Sequence, residues 1–147
     1  MEESLIDRYK EVLKLNEVDA DSYSPLALAY IGDAIYELVI RTKVMNHGSM
    51  QVNKMHKRTA GLVKAEAQAN FYKLLEEDLT DEEKAVYRRG RNAKSVTMAK
   101  NATMRDYRMA TGFEALMGWL YLKGNIDRIA ELVAMALSKT GQFEEEN

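Results

Sequence analysis

Three carboxylates stand apart in this chain of 147 residues. Between Asp21 and Glu66 the only acids are Asp33 and Glu37, and between Asp106 and Asp127 the only acid is Glu114. They fall in the two most apolar stretches, LALAYIGDAIYELVI and GFEALMGWLYL. A carboxylate buried there without a partner would be costly, so its presence needs a reason. One reason is structural: pairing with Arg41, Arg58 or Arg108, or a place on a face open to water. The other is a metal site. Carboxylates that meet from two helices are a common way for helical proteins to hold hard divalent cations. Magnesium needs only one or two of them and keeps several waters. Gly32, Gly112, Ala29, Ala34 and Ala115 lie around the acids. Glycine inside a helix is unfavourable unless another backbone or a ligand comes close. Tight packing explains the small residues but not the acids.

A second chemical feature is hidden by the formal net charge of −2. From Lys84 to Arg108 the basic residues are Lys84, Arg88, Arg89, Arg91, Lys94, Lys100, Arg105 and Arg108, against one acid, Asp106. Lys54, His56, Lys57, Arg58 and Lys64 form another basic group. Asn92, Ser95 and Thr97 are interleaved with the first group. This mixture suits contacts to phosphate and sugar. Double-stranded RNA is read mainly that way, by shape. The plainer alternative is a solvated charged face.

The elements that must position these residues are helices. Apolar periodicity is helical nearly throughout, which predicts an all-α domain. A short helix is expected within residues 3–15. Ser24 and Pro25 mark the start of a long helix reaching about Asn46, with Gly48 beyond it. Residues 50–77 read as one helix or two, with Gly61 as the candidate break. Thr80 to Glu83 forms a capping box for a helix reaching about Arg89. Residues 90–102 read as a loop. Thr103 and Asp106 open a helix that Gly124 stops, and Asn125 caps a last helix through about Ser138. The expected layout is an N-terminal extension over 1–24, a catalytic domain over 25–140 and a frayed acidic tail over 141–147.

Several classes are excluded. With no cysteine there is no disulfide framework, thiolate zinc site or cysteine nucleophile. There is no HExxH, GxSxG, P-loop or GxGxxG, so neither a zinc protease nor a nucleotide cofactor is expected. One proline and 8 glycines argue against a turn-rich β-sandwich. No stretch is long and apolar enough to span a bilayer, and the start MEESLIDRYK does not resemble a secretory signal. A cytoplasmic protein that makes no use of membranes is the expectation.

Tyr30-Ile31-Gly32-Asp33-Ala34 resembles the LGDA core of the ribonuclease III signature, and Phe113-Glu114-Ala115-Leu116-Met117-Gly118 resembles that family's second motif. With the segment RRGRNAKS and no separate domain for binding double-stranded RNA, the chain resembles the catalytic-domain-only Mini-ribonuclease 3 branch. The resemblance covers about residues 26–137. It implies the all-α ribonuclease III endonuclease-domain fold, working as a homodimer with double-stranded RNA in a valley between metal sites. It implies magnesium, with manganese as a substitute, held by Asp33 and Glu114. It implies hydrolysis to a 5′-phosphate and a 3′-hydroxyl, and maturation of large-subunit (23S) ribosomal RNA precursor. The family's further glutamate and aspartate are replaced here by Ala29 and Thr111. The site is thinner in carboxylates, and Glu37 and Thr111 remain candidates for supporting roles. Arg89, Arg91, Asn92, Lys94 and Ser95 of the basic segment, with Lys57 and Arg108, are the expected RNA contacts. The alternative is an RNA-binding or ribosome-assembly factor of the same fold with little cleavage.

Overall fold

The computed structural model describes residues 4–46, 51–94 and 103–143. Among them there are seven α-helices and no strand: α1 (Leu5–Val12), α2 (Pro25–Met45), α3 (Val52–Val63), α4 (Ala65–Leu75), α5 (Asp81–Asn92), α6 (Met104–Leu122) and α7 (Ile126–Thr140). One-turn 3-10 helices at Ala20–Ser22 and Glu76–Asp78 connect them. No described helix is long and apolar enough to cross a membrane.

Local sequence sets most of the boundaries. Ser24 accepts from the Ala27 amide and Pro25 occupies the first turn of α2. Thr80 and Glu83 cap α5 reciprocally. Asn125 accepts from the Arg128 amide, and Gly124 takes the left-handed conformation that ends α6.

Three expectations need correction. The break in residues 50–77 is at Lys64, whose backbone is extended, and Gly61 continues α3. The helix opened by Thr80 runs to Asn92, past Gly90. A Cβ on Gly90 would lie 2.8 Å from the Ala115 Cβ and 2.9 Å from the Gly112 Cα, so this glycine lets α5 press on α6 instead of ending the helix. The chain is also anchored beyond Gly141. Phe143 is buried, with the Arg58 guanidinium 4.1 Å and the Lys43 ammonium 5.3 Å from its ring centre. The loop residues 95–102, Gly48 and the acids of the tail lie outside the described residues.

Helix α6 is the axis of the core. From Met109 to Tyr121 every residue but Glu114 is buried. Helix α2 lies against it antiparallel, since Gly32 faces Glu114 and Gly118 faces Leu28. Tyr36 of α2 sets its ring edge-on to Phe113 of α6 and to Phe71 of α4, at 5.2 and 6.4 Å between centres. The N-terminal segment is tied down through buried Ile6 and Ala20. Asp21 adds polar ties, accepting from Trp119 Nε1 at 2.7 Å and Lys123 Nζ at 3.2 Å.

Helices α5 and α7 are joined by one partly buried ion pair. Arg128 donates from Nε and Nη2 to the two oxygens of Glu83, at 2.8 and 2.9 Å, and from Nη2 to the Asp78 carbonyl. Burial alone would push the Glu83 carboxyl up. The Arg128 hydrogen bonds, the Thr80 amide and the Arg128 charge outweigh it and hold the group below the ordinary glutamate value. Arg128→Met should therefore lower stability by about 3 kcal/mol at neutral pH, by stranding a buried carboxylate. Because the native value is depressed, this contribution is lost as pH falls through it. Urea unfolding should show the gap between variant and parent closing in acid. A gap that persists unchanged at pH 3 would contradict this account.

Candidate active site

Gly32 and Gly118 determine how the acids meet. A Cβ on Gly32 would fall 1.7 Å from the Glu114 carbonyl oxygen, and one on Gly118 would fall 1.9 Å from the Leu28 carbonyl oxygen. Only two bare backbones can cross this closely. Asp33 follows Gly32 directly, so the crossing brings its carboxylate to that of Glu114. The two carboxyl groups lie close enough for Asp33 to raise the pKa of Glu114. Asp33 is exposed and Glu114 is half-buried, so the pair opens from the core to the surface.

The other side of Glu114 is held by α4. Gln68 Nε2 donates to Glu114 Oε2 at 3.3 Å and to the Val63 carbonyl at 2.8 Å. The extended residue Lys64 makes this possible. It ends α3, so carbonyls of the last turn lack helical partners. The Tyr36 hydroxyl caps Leu62 at 2.7 Å, and Gln68 caps Val63. The helix break, the aromatic cluster and the acid pair are thus one piece of construction.

Burial, then the hydrogen bond and charge of Asp33, push the Glu114 carboxyl up to about 8; the Gln68 bond pulls it down. A carboxylate pair of this kind needs a proton or a cation to balance it. Among the described residues no group of three or more His, Cys, Asp or Glu side chains could hold a metal ion. What the site offers is two carboxylates, hard oxygen ligands suited to magnesium and ill suited to softer ions.

The supporting candidates make contacts within their own helices. Glu37 pairs with Arg41 one turn on at 3.4 Å, both side chains being about half exposed. The Thr111 hydroxyl donates to the Tyr107 carbonyl of its own helix at 3.0 Å. Ala29 is buried.

Residues 26–125 match the family model described as the Ribonuclease III domain. A Mini-ribonuclease 3 of Clostridium tetani is 46% identical over 133 residues, covering 88% of each chain. One from a Thermoanaerobacter species is 44% identical over 137 residues, covering 93% of this chain and 96% of its own. A crystal structure of a Fusobacterium nucleatum protein superposes with a TM-score of 0.75 at 31% identity, covering 84% of this chain and 99% of that one.

The chain belongs to the ribonuclease III family, in its Mini-ribonuclease 3 branch. It has that family's helical fold and is an endoribonuclease of the kind that acts on double-stranded RNA.

The basic residues expected to meet RNA fall on α3, α5 and α6 and just beyond α5. Arg89 is exposed on α5. Arg91 lies 5.8 Å from the Tyr87 ring centre and donates from Nε to Asn92 Oδ1 at 3.3 Å, at the end of the same helix. Lys94 is exposed just beyond it, and Ser95 lies outside the described residues. Lys57 on α3 and Arg108 on α6 are also exposed. Gln68 was not anticipated. Its only signal in the sequence is an amide on the buried stripe of α4 formed with Phe71, Tyr72 and Leu75.

Proposed function

We propose that this endoribonuclease uses magnesium, held by Asp33 and Glu114, and that its substrate is the precursor of large-subunit (23S) ribosomal RNA. The observation that carries the reading is the meeting of Asp33 and a half-buried Glu114 whose carboxyl is pushed up to about 8. Two like charges forced together are stabilised by a divalent cation, and one or two carboxylates with several waters make an ordinary magnesium site. When bound, the ion supplies an activated water and neutralises charge at the scissile phosphate; manganese can take its place. Exposed Asp33 faces the duplex, and Glu114 is fixed from behind by Gln68. Arg89, Arg91, Asn92, Lys94, Ser95, Lys57 and Arg108 hold the sugar-phosphate backbone without reading sequence. The products are a 5′-phosphate and a 3′-hydroxyl.

We further propose that the chain works as a homodimer in the cytoplasm. The exposed face of α2 that carries Asp33 also carries Tyr30, 84% exposed, with Leu26 and Leu38. Apolar side chains beside an active site support a covering second copy.

The test is cleavage of a long end-labelled RNA duplex by the purified protein. Cutting is expected with magnesium or manganese, and none with EDTA. Bound but intact duplex in magnesium would favour the assembly-factor reading, and cutting in EDTA would remove the metal.

A further inference from the structure

Gln68 is 98% buried yet its amide oxygen has no hydrogen-bond partner, the one such buried side-chain atom among the described residues. The orientation of the amide is fixed by chemistry. Its nearest neighbour, the Val63 carbonyl at 2.8 Å, can only accept, so the nitrogen faces it and Glu114, and Oε1 is left over. An apolar side chain of similar length would fill the space without stranding an oxygen. The amide is kept, at the cost of a stranded oxygen, for what its nitrogen does.

We propose that Gln68 is a positioning residue for catalysis: Nε2 fixes the Glu114 carboxylate from a rigid anchor on the end of α3. This rests on the magnesium site proposed above. The anchor is firm because Lys64 ends α3 there and Tyr36 pins the neighbouring carbonyl of Leu62. Gln68 thereby holds Glu114 from the side of α4, against the repulsion of Asp33 from the side of α2. Groups that orient a metal's direct ligands in this way are typically worth 10–100-fold in affinity or rate.

The experiment uses Gln68→Met, which keeps length and removes the amide, and Gln68→Asn, which keeps an amide but is too short to span Val63 and Glu114. Two readouts are compared with wild type: binding of Mn²⁺ alone to the RNA-free protein, followed by the electron paramagnetic resonance of free Mn²⁺, and steady-state cleavage of an RNA duplex. Both variants should bind Mn²⁺ about tenfold more weakly and lose about 10–100-fold in kcat, with KM for RNA within about twofold. If Gln68→Met fails to fold by circular dichroism, Gln68→Asn decides alone. Wild-type Mn²⁺ affinity in a folded variant overturns the proposal, as does a change confined to KM or to melting temperature. If wild type itself neither binds Mn²⁺ nor cuts, the magnesium reading has failed first; if it does both and the variants match it, only the role of Gln68 has.

Discussion

Glu114→Gln should abolish cleavage, by about a thousandfold or more, while making the metal-free protein more stable. Removal of one preorganised electrostatic group in an active site commonly costs 10²–10³ in rate, and here the group is also one of only two carboxylates at the site. The gain in stability comes from the same geometry. Burial, with the Asp33 hydrogen bond and charge, raises the folded-state value of Glu114 to about 8, well above that of an unfolded glutamate. Below about pH 4.5 the group is protonated in both states and costs nothing. As pH rises, the unfolded chain gives up the proton first, so native stability falls progressively until the folded group has titrated as well. Between pH 4.5 and 8 in EDTA the wild type should lose on the order of 3 kcal/mol. Glutamine is neutral and escapes this loss. Its melting temperature should exceed that of wild type at pH 8 by about 5–10 °C and should match it near pH 4.5. Magnesium should raise the wild-type melting temperature at pH 8 and leave the variant unmoved. Parallel melting curves across this pH range, or retained cleavage, would show that Glu114 is not the charged centre described above.

This coupling of function to instability explains which parts of the molecule were legible in the sequence. Asp33 and Glu114 stood out because each was an isolated acid in an apolar helix, and a conflict of that kind is visible one residue at a time. Helix starts were legible for a similar reason: Ser24, Thr80, Thr103 and Asn125 act on amides three positions away. What could not be read was anything settled by a partner distant in the chain. Gly90 has the local character of a helix end, and only the pressure of α6 makes it an interior residue. The break between α3 and α4 falls at a lysine, with nothing local to mark it, and is fixed by Tyr36 and Gln68 capping the exposed carbonyls. Gln68 is an ordinary helix residue until Glu114 arrives from 46 positions away. Phe143 lies in a polar, acidic tail, yet it joins the hydrophobic core and meets Arg58 and Lys43 from distant parts of the chain.

The largest structural effect is expected at Gly32, where α2 and α6 touch. Alanine is normally the better helix residue, by about 1 kcal/mol over glycine in a helix interior. At Gly61 that preference should prevail. It lies in α3 with nothing within 4 Å of where a Cβ would stand, so Gly61→Ala should add about 0.5–1 kcal/mol of stability. At Gly32 the same methyl would sit 1.7 Å from the Glu114 carbonyl oxygen and 2.7 Å from the Gly118 amide nitrogen. These are backbone atoms of a buried helix and cannot rotate aside. Ordinary contact would require the two helices to part by roughly 2 Å, opening gaps beside Phe113, Leu116 and Leu28 in a core that is otherwise close-packed. Overpacking usually costs 1–3 kcal/mol, and a clash between two backbones belongs at or above the top of that range. Gly32→Ala should therefore lose about 3 kcal/mol or more, against a gain for Gly61→Ala, and urea midpoints will show the opposite signs directly. The same separation carries Asp33 away from Glu114. Even under conditions where Gly32→Ala stays folded, cleavage should fall by at least about a hundredfold, since an ångström of misplacement in a catalytic pair can have that effect. A Gly32→Ala protein as stable and as active as its parent would mean that α2 and α6 do not cross backbone to backbone, and the acid pair would then need another explanation.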